Sequence, residues 1–163
     1  MFREMRRRKQ ALSPESCVEV LRKGTSGVLA VSGDDGYPYA VPLSYVYDDG
    51  RLFFHCAPSG HKLDAIAGNE KASFCVIDQD HVVPEEYTTY YRSVIAFGRA
   101  RVLEDEGEKR AALEKLAERY SPRQEEGRRA EIDKLFQRVC MVELAVEHLS
   151  GKEAMELAAE KER

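Results

Sequence analysis

Residues 87–103 constrain the fold of this chain more than any other segment. They form an unusually long run rich in β-branched and aromatic residues, so they are expected as one extended strand, with Gly98 either bending it or marking the close approach of another backbone. Shorter runs of similar character lie on both sides, at residues 27–31, 51–56, 72–77 and 139–149. Residues 37–47 add a further strand, interrupted by Pro42, which has no N–H to give a ladder and so implies an edge, a bulge or a ligand at that point. Asp48-Asp49-Gly50 is a hairpin turn signal, and residues 78–86 read as an acidic, proline-containing connection.

Helical signals are fewer and come mostly late. Ser13 is a plausible cap with Pro14 at the first helical position, and Lys23-Gly24 ends that helix. A short helix is expected at 63–67, and amphipathic spacing predicts two more at 105–120 and 128–137. No strand–helix–strand rhythm is present, which disfavours a parallel doubly wound sheet. The expected fold is mainly β with peripheral α: an antiparallel barrel of about six strands with flanking helices.

With 163 residues the chain fits one domain. The boundaries expected are a flexible basic arm at 1–12, a single domain at 13–155 and a charged tail at 156–163. The arm holds Arg3, Arg6, Arg7, Arg8 and Lys9, but a net charge of −4 argues against nucleic acid as a partner. No apolar stretch of the ~18 residues that would cross a membrane is present, so a cytoplasmic location is expected. Cys17, Cys56, Cys75 and Cys140 are far apart and show no CxxC pair, so they read as buried free thiols. The four histidines lack ligand spacing, and no metal is expected.

Residues 53–62 carry the chemistry. An apolar strand ends at His55 and Cys56 and runs into a loop holding Ser59, Gly60, His61 and Lys62, placed at the N-terminus of the short helix. Free amides, the positive end of a helix dipole, a hydroxyl, an imidazole and an ammonium suit an anion such as phosphate. The same loop can equally be read as a capped helix with a solvated His-Lys pair. His55 is the candidate base, since imidazole exchanges protons near neutral pH, although a histidine bonded to a carbonyl has the same sequence signature. The tyrosines at 37, 39, 45, 47, 87, 90 and 91 could line a planar ligand, but alternating tyrosines are more often sheet surface. No nucleophile elbow, phosphate-binding glycine loop or zinc-protease motif occurs.

Together these segments resemble a known family. Gly36-Tyr37-Pro38-Tyr39-Ala40-Val41-Pro42-Leu43-Ser44-Tyr45-Val46-Tyr47, Phe54-His55, Gly60-His61-Lys62-Leu63, Tyr91-Arg92-Ser93-Val94-Ile95-Ala96-Phe97-Gly98-Arg99-Ala100 and Ser150-Gly151-Lys152-Glu153 are similar to the pyridoxamine 5'-phosphate oxidase-like flavoproteins of the Nim (5-nitroimidazole reductase, or resistance) type. The resemblance spans roughly residues 15–155 and implies an FMN-binding split β-barrel, working as a homodimer with flavin sites at the subunit interface. By position, Val41, Pro42, Leu43, Ser44 and Tyr45 would run beside the isoalloxazine, His61 and Lys62 would take the phosphate with Ser93 as a further contact, and Ala57 and Gly60 would be among the cofactor-binding residues. His55 would face the flavin as the catalytic residue, and Lys152 would approach the cofactor of the other subunit. The implied activity is an FMN-dependent oxidoreductase, a reductase of nitroaromatic or related small molecules using NADH or NADPH. A non-catalytic flavin sensor or storage protein and a haem-binding split barrel are the alternatives. The chain has no tryptophan and no arginine-rich pattern along residues 39–47, so vitamin B6 oxidation is not implied.

Overall fold

Strand-forming segments with a period of two build this molecule. The computed structural model describes residues 1–160 and joins the strands in one antiparallel sheet. The strands are β1 (Ser26–Ser32), β2 (Pro38–Ser44), β3 (Val46–Asp48), β4 (Arg51–Cys56), β5 (Lys71–Val83), β6 (Thr88–Val102) and β7 (Cys140–Glu153). Their spatial order is β2-β1-β5-β6-β7-β4-β3. The two outermost strands, β2 and β3, are joined in the chain by Tyr45 alone, so the sheet curls until its edges approach without closing. The result is a split barrel.

Tyr45 fixes that corner. Its ring is fully buried, its hydroxyl donates to Leu21 O at 2.7 Å, and its N–H donates to the Tyr120 hydroxyl at 3.0 Å. The segment expected as one strand at 37–47 is therefore two, divided at Tyr45 and not at Pro42. Pro42 sits within β2 opposite Val28, on an edge strand where a missing N–H costs least. This division gives seven strands in place of about six.

β5 also runs further than expected. Residues 78–83 continue as strand against Thr88–Arg92 of β6, and Pro84–Glu86 with Tyr87 in the left-handed region (φ 52°) turns the hairpin. Pairing with a long neighbour overrides the poor strand propensity of Asp and Gln. Gly98 lies at an irregularity in the β6–β7 pairing. A Cβ there would stand 2.0 Å from Ala145 O, so only glycine lets the two backbones approach.

Two cores result. Leu29, Phe54, Phe74, Val94 and Leu144 fill the barrel, closed by α1 (Pro14–Lys23) through Leu21 and by α2 (His61–Gly68) through Ile66. Outside it, α3 (Glu106–Tyr120) and α4 (Glu125–Leu135) pack Leu113, Leu116 and Ile132 on Phe53 and Met141. β4 is thus buried on both faces at residues 52–54, which explains its unbroken apolar run. Residues 8–12, part of the expected arm, lie along the end of β7: Ala11 bridges Lys152, Leu12 N–H donates to Gly151 O, and Gln10 Nε2 donates to Glu153 O. The expected tail holds α5 (Met155–Glu160), and residues 161–163 lie outside the described part. Cys17 and Cys56 are buried and Cys75 and Cys140 half-buried, all as free thiols.

Candidate functional site

Beyond β4 the chain crosses Ala57, Pro58 and Ser59, all exposed, before Gly60 starts α2. Gly60 has φ 135° and nothing within 4 Å of the place a Cβ would take, so its backbone conformation and not crowding calls for glycine. Its carbonyl accepts from the N–H groups of Leu63 and Asp64 at 2.9 and 3.2 Å. The first amides of the helix then point away from it, beside His61 and Lys62. His61 stacks on Tyr39, with ring centroids 4.1 Å apart, and its Nε2 lies 3.6 Å from Asp34 Oδ2. Lys62 acts on Cys56: burial pushes that thiol up to about 11, the facing Cys140 adds to the shift, and the Lys62 charge opposes it.

At the other end of β2, alternation turns Val41 and Leu43 towards the core and leaves Pro42 and Ser44 outside. Tyr45 offers a ligand no side chain, because its ring is core. β2 pairs with β1 only, so the N–H and C=O groups along its second edge have no strand partner. From Tyr39 to Ser44 that edge runs ~16 Å at ~3.3 Å per residue. Ser44 and His55 then form the floor of a cleft of about 400 Å³, walled by Leu113, Leu116 and Tyr120 of α3 and by Ile132 and Leu135 of α4. His55 points outward because its neighbours Phe54 and Cys56 point into the barrel.

Ser93 and Lys152 are brought together but lie elsewhere. They are directly opposite each other on β6 and β7, on the outer face of the sheet, with Lys152 Nζ 5.4 Å from the Tyr91 ring centroid. Two strands, β1 and β5, separate Ser93 from β2, so one chain does not bring this pair to His61. Arg92, within the same motif, is structural: it binds Glu153 and Asp78 at 3.0 and 3.1 Å. Burial would lower the guanidinium pKa, and these two carboxylates more than reverse that.

Sequence reasoning missed several lining groups. Tyr39 is a stacking partner of His61 and not merely sheet surface, a role that only the fold reveals. The cleft walls come from apolar helix positions whose spacing announces a core, not a cavity. Among the described residues no group of three or more His, Cys, Asp or Glu gathers to hold a metal, and no helix is long and apolar enough to cross a membrane.

A seven-stranded antiparallel split barrel with helices on its outside defines a class of small β proteins. Residues 13–153 match the family model described as pyridoxamine 5'-phosphate oxidase, and the chain belongs to that family. Among solved structures, it is similar to a candidate 5-nitroimidazole antibiotic resistance protein of Bacteroides thetaiotaomicron, at 20% identity and TM-score 0.76 over 88% of this chain and 86% of that one. It is also similar to an FAD-binding protein of Mesorhizobium loti, at 27% identity and TM-score 0.66 over 89% and 97% of the two chains. An FAD and haem binding protein of Mycobacterium smegmatis resembles it at 26% identity and TM-score 0.74 over 90% and 73%. No curated protein sequence matches it.

Proposed function

We propose that this chain binds FMN and acts, as a homodimer, as an oxidoreductase that passes electrons from NADH or NADPH to a nitroaromatic or related small molecule. The observation that carries this reading is the open edge of β2, with His61 and Lys62 at the start of α2 near one end and His55 at the other. Its ~16 Å length is close to that of an extended flavin mononucleotide. The residues present fit such a group. The α2 amides with His61 and Lys62 would hold the phosphate, and Tyr39 would keep the His61 ring in place. Asp34 is exposed and gives His61 up to a phosphate at little cost. The unpaired backbone groups of residues 41–45 would read the polar ring edge, beside Ala57.

When bound, the flavin supplies hydride transfer. The chain's part is to orient the ring along β2, to exclude water with the α3–α4 wall, and to deliver a proton from His55. One turn with a nitro compound consumes NADH and a proton and yields the nitroso compound, NAD⁺ and water, so a proton donor beside the acceptor is required.

Dimerisation would bring Ser93 and Lys152 of one chain to the cofactor of the other, which accounts for their distance from His61 within a chain. FAD is the alternative to FMN, supported by the FAD-binding structures at 27% and 26% identity. The test is the absorbance spectrum of purified protein, with mass identification of the released ligand. A yellow protein is expected, bleached by NADH or NADPH and recoloured by a 5-nitroimidazole. His55→Ala is expected to keep the flavin and lose at least about tenfold in turnover. A colourless protein that takes up no flavin sinks the reading, a flavoprotein that no nicotinamide reduces leaves only flavin binding, and a Soret band would indicate haem.

A further inference from the structure

Gly127 stands inside α4, where glycine weakens a helix relative to alanine. Its backbone does not require glycine, because its φ is not in the left-handed region. Its surroundings do not require it either, because a Cβ there meets nothing within 4 Å. It does line the cleft over Ser44 and His55, so a side chain there would stand in the cleft's own space.

The cleft specifies an occupant. At about 400 Å³ it lies towards the small end of the range usual for small-molecule sites, roughly 300–1,000 Å³, which suits one or two aromatic rings and leaves no room for a protein segment. Its walls are apolar, through Leu113, Leu116 and Ile132, and its floor presents the Ser44 hydroxyl and the His55 imidazole. At its side Arg128 donates to the carbonyls of Ser121 and Pro122 at 3.0 and 3.2 Å and, among the described residues, pairs with no carboxylate. Glu131 of the same wall has its own cation in Lys134, at 3.8 Å. A small apolar cleft with the Ser44 hydroxyl and the His55 imidazole on its floor and an unneutralised guanidinium beside it favours an aromatic ring carrying electron-rich oxygens.

We infer that the α3–α4 cleft is the acceptor pocket, taking a planar aromatic of one or two rings whose nitro oxygens meet Ser44 and His55. This rests on the reductase reading above and gives its acceptor a place in the fold and a size limit. The test measures nitrobenzene binding to the flavin-loaded protein by calorimetry, in the wild type and in Gly127→Trp and Gly127→Ala. Saturable binding is expected in the wild type, with its dissociation constant raised at least about tenfold in Gly127→Trp and unchanged in Gly127→Ala. Gln124→Trp, on the same lining, repeats the block at a second position should Gly127→Trp not fold.

The assignment is overturned if nitrobenzene does not saturate the wild type, or if a folded blocking variant binds it as well as the wild type does. Failure of the flavin reading shows separately, in the spectrum. Gly127-dependent nitrobenzene binding by a protein that takes no flavin would leave a ligand pocket and remove its role in reduction.

Discussion

A phenol taken out of water at a barrel corner must be bonded, and Tyr45 is: its hydroxyl reaches Leu21 O, while Gly24 lies so close that a Cβ there would meet the same hydroxyl at 2.5 Å. Burial first, and then the neighbouring Tyr120, push the Tyr45 pKa well above the ordinary tyrosine range. Tyr45→Phe keeps the ring and loses the bond, so it is expected to lower unfolding free energy by about 1–3 kcal/mol in urea titrations. Cys56 is shifted in the same sense, to about 11 from 9.0, by burial and by Cys140 against the pull of Lys62. A thiol whose pKa is raised on folding contributes stability that is intact below pH 9 and is lost as pH rises through 11, because the unfolded chain releases the proton first. The melting temperature should therefore fall over that window and fall less steeply in Cys56→Ser. The same thiol reports on the phosphate loop. Lys62→Ala removes the opposing charge, and alkylation of Cys56 at pH 9 should slow.

Elements whose determinants are local were legible in the sequence. Ser13 and Asp105 cap α1 and α3 by accepting from Ser16 N–H and Glu108 N–H, and both helix starts could be read because each cap lies within three residues of what it caps. Elements set by distant partners were not. The extension of β5 to Val83 depends on β6, and the break at Tyr45 depends on Leu21 and Tyr120, which nothing in residues 37–47 announces. Gly98 falls between these cases: its presence in a strand signalled a close approach, while the partner, Ala145 O, is a matter of register. Gly98→Ala is expected to destabilise by about 3 kcal/mol or more, since the obstruction is backbone and cannot rotate away, and soluble yield and chemical denaturation will show it. Gly127→Ala goes the other way. With open space around it in a helix, the added methyl should stabilise by about 0.5–1 kcal/mol, visible as a rise in melting temperature.

For the whole molecule, the order of motifs gave the family away, while the site stayed partly hidden because its pieces converge from separate strands and helices. His61 and Lys62 sit with β2, Ser44 and His55 lie under the α3–α4 wall, and Ser93 and Lys152 lie across the sheet. No spacing along one chain encodes that arrangement, and the homodimer proposed above would be what joins all of them in one site. The register offers one surface for that proposed copy. Pro42, Val28, Cys75 and Ile95 lie opposite one another in a row across β2, β1, β5 and β6, all on the outer face and none of them charged. Ile77 extends this face next to Ser93 and is 66% exposed, and on the other side of the row Phe2 stacks on His148 and tilts against Phe97. An uncharged strip of this kind beside Ser93 and Lys152 is where the proposed second copy would fit. Ile77→Glu disturbs little within one chain, because the side chain is already exposed. It should nevertheless shift the protein from twice the 18.5 kDa chain mass to the monomer in sedimentation and weaken flavin retention in parallel. A variant that stays dimeric and yellow would place the interface elsewhere. A variant that becomes monomeric yet keeps its flavin would confine the cofactor site to one chain and remove Ser93 and Lys152 from it.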